Sequence, residues 1–166
     1  NGLNLTSNSG SIVNFSKLKA GGAVSLTAAN NITNTATVKT NAANLLDSGN
    51  LAYISNGSTA SNSGNISSTL FETAAIEAAS FTANAGNDFS NYGANITTTS
   101  GDLNITAGDD IRIETVELRN RSEYRSKKYT KITDTTTNTS SNITSAGGAT
   151  LTTNGTGTDN EAGTSD

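Results

Sequence analysis

The chain has 166 residues, a formal net charge of −4 at pH 7, and a composition that is only 33% hydrophobic and 5% aromatic. It contains no Cys, His, Met, Trp or Pro; disulfides, thiolate or imidazole metal sites and the usual nucleophile–base pairs are therefore excluded, and catalysis would have to run on carboxylates, Lys or Tyr. An acidic balance argues against nucleic acid as a general partner, and no stretch approaches the ~20 apolar residues that span a bilayer as a helix.

Asn, Ser, Thr and Gly make up about half of the sequence, a composition that by itself suggests disorder. The pattern argues otherwise. Aliphatic residues recur at every second position in short bursts, first at Leu3 and Leu5, then at Val24 and Leu26, later at Leu103 and Ile105, and such alternation has meaning only on an ordered sheet face. Asn8-Ser9-Gly10-Ser11-Ile12 introduces an Asn-x-Gly-x-aliphatic motif that reads as a corner, with Gly free to take positive φ and Asn free to bond the local backbone. Asn62-Ser63-Gly64-Asn65-Ile66 repeats it, Asp47-Ser48-Gly49-Asn50-Leu51 is a variant, and Asn91-Tyr92-Gly93-Ala94-Asn95-Ile96 carries one extra residue.

A second signature runs between the corners. Val24 to Ile32, Phe81 to Phe89 and Leu103 to Ile111 align without a gap, apolar on apolar and turn on turn. Leu70 to Ala79 is Ala-rich and so compatible with helix, but it leads directly into the Phe81 repeat and is read as strand. The spacing of ~20 residues points to a solenoid: an all-β, right-handed parallel β-helix, holding roughly eight coils at most and burying a narrow column of aliphatic side chains. Leu5, Ile12, Leu26, Ile32, Ile66, Ile96, Leu103, Ile105 and Ile111 are expected to point inward, and Asn side chains at corners to stack into ladders. The expected organisation is β-helix repeats over 1–113, a charged extra-helical hairpin over 114–133 turning near 121–126, a resumed coil over 134–153, and a disordered tail over 154–166. The whole reads as a fragment of a longer protein.

The alternation of Asn-x-Gly-x-Ile with Leu-x-Ile-x-Ala-Gly-Asp-Asp-Ile resembles the haemagglutinin repeats of large exoproteins exported by two-partner secretion, among them filamentous haemagglutinins and contact-dependent growth-inhibition effectors. The resemblance covers roughly Leu3 to Thr153. The insertion from Glu114 to Lys131, followed by Asn142-Ile143-Thr144-Ser145-Ala146-Gly147-Gly148-Ala149-Thr150-Leu151, is similar to the repeat class of the C-terminal half of those proteins. It implies a secreted β-helical filament on a Gram-negative cell surface, an outer-membrane secretion partner during export, and contact with a target-cell or host surface through protein, lipopolysaccharide or glycan. Delivery of a C-terminal toxin is a further implication. The family's N-terminal secretion-recognition segment and a C-terminal toxin are not recognisable in the sequence and are expected to lie outside the fragment.

Seven basic residues and three acids fall between Arg112 and Lys131. With Tyr124 and Tyr129 interleaved, the run has the composition of a contact surface; the candidates are Arg119, Arg121, Tyr124, Arg125, Lys127, Lys128 and Tyr129. A plainer reading is a solvated hairpin whose charges keep an edge from aggregating. The Arg and Lys side chains are expected to fan outward, and Leu118, Tyr124 or Tyr129 to lie against the rod. Asp109-Asp110, with Asp88 at the matched place one repeat earlier, could stack carboxylates into a calcium or acid/base site, but Asn30 and Asn31 hold the same places in the first copy, so a turn-forming role is preferred. No metal, cofactor or catalytic residue is assigned. The enzyme alternative is a β-helical polysaccharide lyase or hydrolase, disfavoured because its chemistry needs carboxylates along one sheet face.

Overall fold

The computed structural model describes residues 1–43, 62–125 and 128–155. Every regular element among them is a strand. β1 (Leu3–Ser7), β2 (Ile12–Asn14) and β3 (Lys17–Lys19) are followed by β4 (Val24–Ala28), β5 (Ile32–Thr35), β6 (Thr37–Ala43), β7 (Asn62–Glu72) and β8 (Ala75–Ala78). β9 (Phe81–Ala85), β10 (Phe89–Tyr92) and β11 (Asn95–Thr98) come next. The chain ends with β12 (Leu103–Ala107), β13 (Ile111–Glu114), β14 (Val116–Arg125), β15 (Thr130–Thr139), β16 (Asn142–Thr144) and β17 (Ala149–Thr153). The Ala-rich stretch before Phe81 is thus strand, as β8.

Three of the four sheets are parallel. The first has the order β1-β4-β9-β12-β17, the second β13-β10-β5-β2 and the third β16-β11-β8-β3. The chain visits them in that sequence and then returns to the first, so each circuit lies one strand further along all three. The gapless alignment of the repeats is the pairing register itself: Val24, Phe81 and Leu103 are partners, as are Ile32, Phe89 and Ile111. Alternation sends Val24, Leu26 and Ala28 inward and Ser25 and Thr27 outward, which is why a chain so poor in apolar residues still has a continuous core.

That core sits in the middle circuits. Leu26, Ile32, Ile76, Phe81, Phe89, Ile96, Leu103 and Ile105 are all fully buried and form one cluster. The terminal strands are different. Leu5 is 37% exposed, Ile113 44% and Leu151 44%, because an edge strand has a neighbour on one side alone. Leu5 was expected inside, and Ile12 and Ile111 are only half-buried for the same reason.

The largest departure from the expected consecutive parallel coils lies between Thr37 and Glu72. β6 and β7 pair antiparallel, and β7 pairs antiparallel with β14. Asn62-Ser63-Gly64, expected to be a corner, therefore lies inside β7 with Gly64 opposite Glu123, and Ile66 faces Arg121 and Ala42 across the ladders. Period-two alternation does not distinguish the two kinds of pairing. Chain spent on these strands leaves the first sheet with five strands, fewer than the eight coils the spacing allowed. The Asp47–Leu51 variant lies outside the described residues.

Two other corners behave differently from one another. At Gly93 the backbone is left-handed, φ 56°, and Asn91 Nδ2 donates to the Ala94 carbonyl at 2.8 Å, as the motif predicts. At Gly10 the left-handed conformation is not used, and the Gly10 N–H is bound by Ser7 Oγ at 3.2 Å. Gly86 and Gly108 serve a third purpose. A Cβ at Gly86 would run into the Ala29 carbonyl, and one at Gly108 into the Gly86 carbonyl, so stacked corners need backbone alone there.

Stacking also builds an amide ladder. Asn14 Nδ2 donates to Asn34 Oδ1 and Asn34 Nδ2 to Asn91 Oδ1, each at 2.8 Å. Asn34 and Asn91 are buried, and the ladder stops because Ile113 is next in register. Removing one rung strands its neighbours, so Asn91→Ala leaves Asn34 Nδ2 and the Ala94 carbonyl short of a partner and is expected to cost about 1–3 kcal/mol in urea unfolding. Asn14→Ala, at the half-buried end, should cost clearly less. Equal losses would show that the ladder contributes nothing beyond local bonds.

Candidate functional site

The fourth sheet stands apart from the other three. Its order is β15-β14-β7-β6, antiparallel throughout, and its two hairpins leave the chain at matching places, after β5 and after β13. The charged hairpin was expected to end near 133; β15 continues to Thr139, and parallel pairing resumes at β16. Ser141 closes its base, with Oγ 2.8 Å from the Asn91 carbonyl and 2.5 Å from that of Glu114. At the other root strand, Val116 lies over Gly93: a Cβ placed there would be 2.8 Å from Val116 Cγ2 and 3.3 Å from the Ala36 methyl.

Strand alternation divides β14 between two faces. Arg119, Arg121 and Glu123 occupy one. Asp134, just past the basic run and opposite Arg121 on β15, is gripped by Arg119 through Nε at 3.1 Å and Nη2 at 2.6 Å, a forked, charge-assisted pair. Arg121 adds an ion pair to Asp134 at 3.9 Å and one to Glu123 at 3.7 Å. Glu123 is only 4% exposed. Gly64 opposite it brings no side chain to that place. The Arg119 and Arg121 side chains therefore do not fan outward as expected, because an acid beyond the counted stretch draws them together. Arg112 likewise pairs with Asp110 at 2.9 Å.

The other face carries Asn120, Ser122 and Tyr124. In register with the first two lie Thr135 and Thr133 of β15 and Ser67 and Asn65 of β7. These six side chains, with Arg121, line a shallow hollow of about 220 Å³. Tyr124 packs against Tyr129 in a tilted pair with centroids 5.6 Å apart; both rings are exposed instead of lying against the body, whereas Leu118 is half-buried. Lys128 is exposed near the turn. Arg125 ends β14 opposite Thr130, and Lys127 lies outside the described residues, as does the expected tail from 156 on.

The aspartates at the corners act as backbone acceptors. Asp88 Oδ1 takes the Asp110 N–H at 3.3 Å, and Asn31 Oδ1 takes that of Asp88 at 3.4 Å, one circuit capping the next. Among the described residues no group of three or more carboxylates gathers where it could hold a metal. Sequence reasoning missed Asp134, which lies past the basic run, and the polar face, whose β7 residues come from a segment assigned to parallel coils.

Comparison with protein-family models, with curated proteins and with solved structures finds no match.

Two consequences can be measured. Gly93→Ala combines a left-handed φ with a clash on Val116 and is expected to destabilise by about 1–3 kcal/mol; adding Val116→Ala should restore part of that, the steric part, and no recovery would separate the two residues. The Asp134 carboxyl is held below its ordinary value of 3.8 by the hydrogen bonds from Arg119, opposed by partial desolvation and reinforced by the charges of Arg119 and Arg121. Its contribution is full above the ordinary value and is lost as pH falls through the lowered folded-state value. Protection factors of the β14 and β15 amides, taken against the intrinsic exchange rate at each pH, should therefore fall in acid below that ordinary value, and Asp134→Asn should remove that fall.

Proposed function

We propose that this chain is a segment of right-handed parallel β-helix from a large secreted surface exoprotein of the filamentous-haemagglutinin type, with structural and adhesive roles and no catalytic one. The carrying observation is the repeated passage through three parallel sheets in one order and one register. Each circuit can bury its aliphatic column only against the next, the logic of a filament built by repetition. The exoprotein would leave a Gram-negative cell through an outer-membrane partner and remain at the surface.

The fourth sheet is the contact arm in this reading. It projects two hairpins from an otherwise regular stack, exposes Tyr124 and Tyr129, and does nothing that closing the circuits requires. The third circuit makes the same passage, from β10 to β11, with Gly93 and Ala94 alone.

That comparison supplies the test. Replacing residues 115–141 by Gly-Ala should leave the parallel sheets folded by circular dichroism while lowering binding of the labelled chain to bacterial or epithelial cells by roughly tenfold. Undiminished binding would remove the arm from the contact. Failure of the intact chain to bind any cell tested would overturn the adhesive role.

A further inference from the structure

We infer that the polar face of the fourth sheet is a binding site for uncharged glycans, and that the arm meets its target through sugar hydroxyls in place of acidic headgroups. The inference rests on the reading of this sheet as the contact arm and names its ligand class.

Two rows cross three strands: Thr135, Asn120 and Ser67 in one, Thr133, Ser122 and Asn65 in the other. Each side chain ends in a hydroxyl or a carboxamide, and all six line the same hollow. Five are exposed and Ser67 is half-buried. None carries a charge. Hydroxyls and amides both donate and accept, and a carboxamide sets a donor beside an acceptor, the pair that a vicinal diol of a sugar ring satisfies. Rows about 4.8 Å apart across strands and about 6.8 Å apart along them offer that pairing over an area rather than at a point.

The hollow suits this class in size as well. Its volume of about 220 Å³ falls below that of pockets enclosing a whole apolar ligand, and its hydroxyl and amide groups sit among apolar carbon surface, a mixture that the hydroxyls and C–H faces of a sugar ring match. A single ring of a longer chain would fit against it. Tyr124 continues the face one residue pair past Ser122, and its ring with that of Tyr129 forms an aromatic wall at the rim. Such rings take the C–H face of a sugar while their hydroxyls stay wet.

The alternative ligand is an anion, sulfated or phosphorylated, drawn by the basic run. Its attraction is weakened by geometry. Arg119 and Arg121 project from the opposite face and are committed to Asp134 and Glu123. Lys131, in register with Tyr124, borders the face, and Arg121, the one charged residue that lines the hollow, is paired with Asp134 and Glu123.

The experiment uses the intact chain on immobilised lactose, N-acetyllactosamine, maltotriose, mannotriose and dextran, with heparin and phosphatidylglycerol vesicles as anionic surfaces. Retention is expected on at least one neutral glycan and to persist in about 0.5 M NaCl, where exposed charge attraction is screened. Asn120→Ala with Ser122→Ala should lower it roughly tenfold with an unchanged melting temperature, both residues being exposed. Retention by heparin or vesicles alone, abolished by salt, would overturn the assignment in favour of an anionic ligand. Undiminished retention of the double variant would move the site elsewhere, and no retention on any neutral glycan would end it. Cell binding measured in parallel keeps the two readings apart: cells bound without glycans refute the glycan site only, whereas neither bound refutes the contact arm itself.

Discussion

Register between successive circuits is the constraint on which the rest depends. A strand in the interior of a parallel sheet is bonded to the strand one circuit before and the strand one circuit after, so every inward side chain rests on its counterpart. Shifting that pairing by one residue would turn the entire apolar set outward. Val24, Phe81 and Leu103 share one column, Leu26, Ala83 and Ile105 another. Volume is shared among them: the third circuit places Phe81 and Phe89 inside, and it is in that circuit that Ala83 stands between Leu26 and Ile105. The same register turns Asn14, Asn34 and Asn91 from three costly polar groups into one chain of bonds. An interior amide is tolerated here because the next circuit supplies what water would have supplied.

Register also explains how so polar a chain stays ordered. Half of each strand needs no apolar residue, since Thr, Ser and Asn suffice on the outer face, where they fit a pleated surface. Asn and Asp side chains at the corners are held by bonds from one circuit to the next, as in the series Asn31, Asp88 and Asp110. The price is paid at the ends, where Leu5, Ile113 and Leu151 stay partly uncovered.

What could be read from the sequence follows this division. The repeats at Val24, Phe81 and Leu103 were legible with their register because stacked residues must match in kind, and matching in kind is visible as alignment. The inward residues of interior circuits followed. The β6 and β7 strands were not legible: their Asn, Ser, Thr and Gly residues resemble corners, and an antiparallel partner such as β14, dozens of residues away, leaves no local trace. The basic run was visible as a feature, but its electrostatics were not. Asp134 lies outside it, and only the pairing of β14 with β15 shows that Arg119 and Arg121 are held by that acid while Asn120 and Ser122 are presented on the other face.

The arm and the stack are related by a simple length. The two hairpins leave the second and fourth circuits, separated by the third, so their roots lie two strand spacings apart, about 9.6 Å. A two-stranded hairpin occupies that same width. Hairpins issued from alternate circuits therefore meet edge to edge without gap or overlap, and β7 finds β14 as a partner along Asn62 to Ser67. Issued from every circuit they would collide; issued from every third they would leave an open ladder between them. The intervening circuit must then turn its corner in the least possible space, because Val116 crosses directly above it. Gly93 and Ala94 do this with a left-handed backbone and a single buried methyl group. The compact corner at Gly93 is in this sense part of what lets β14 root beside β7.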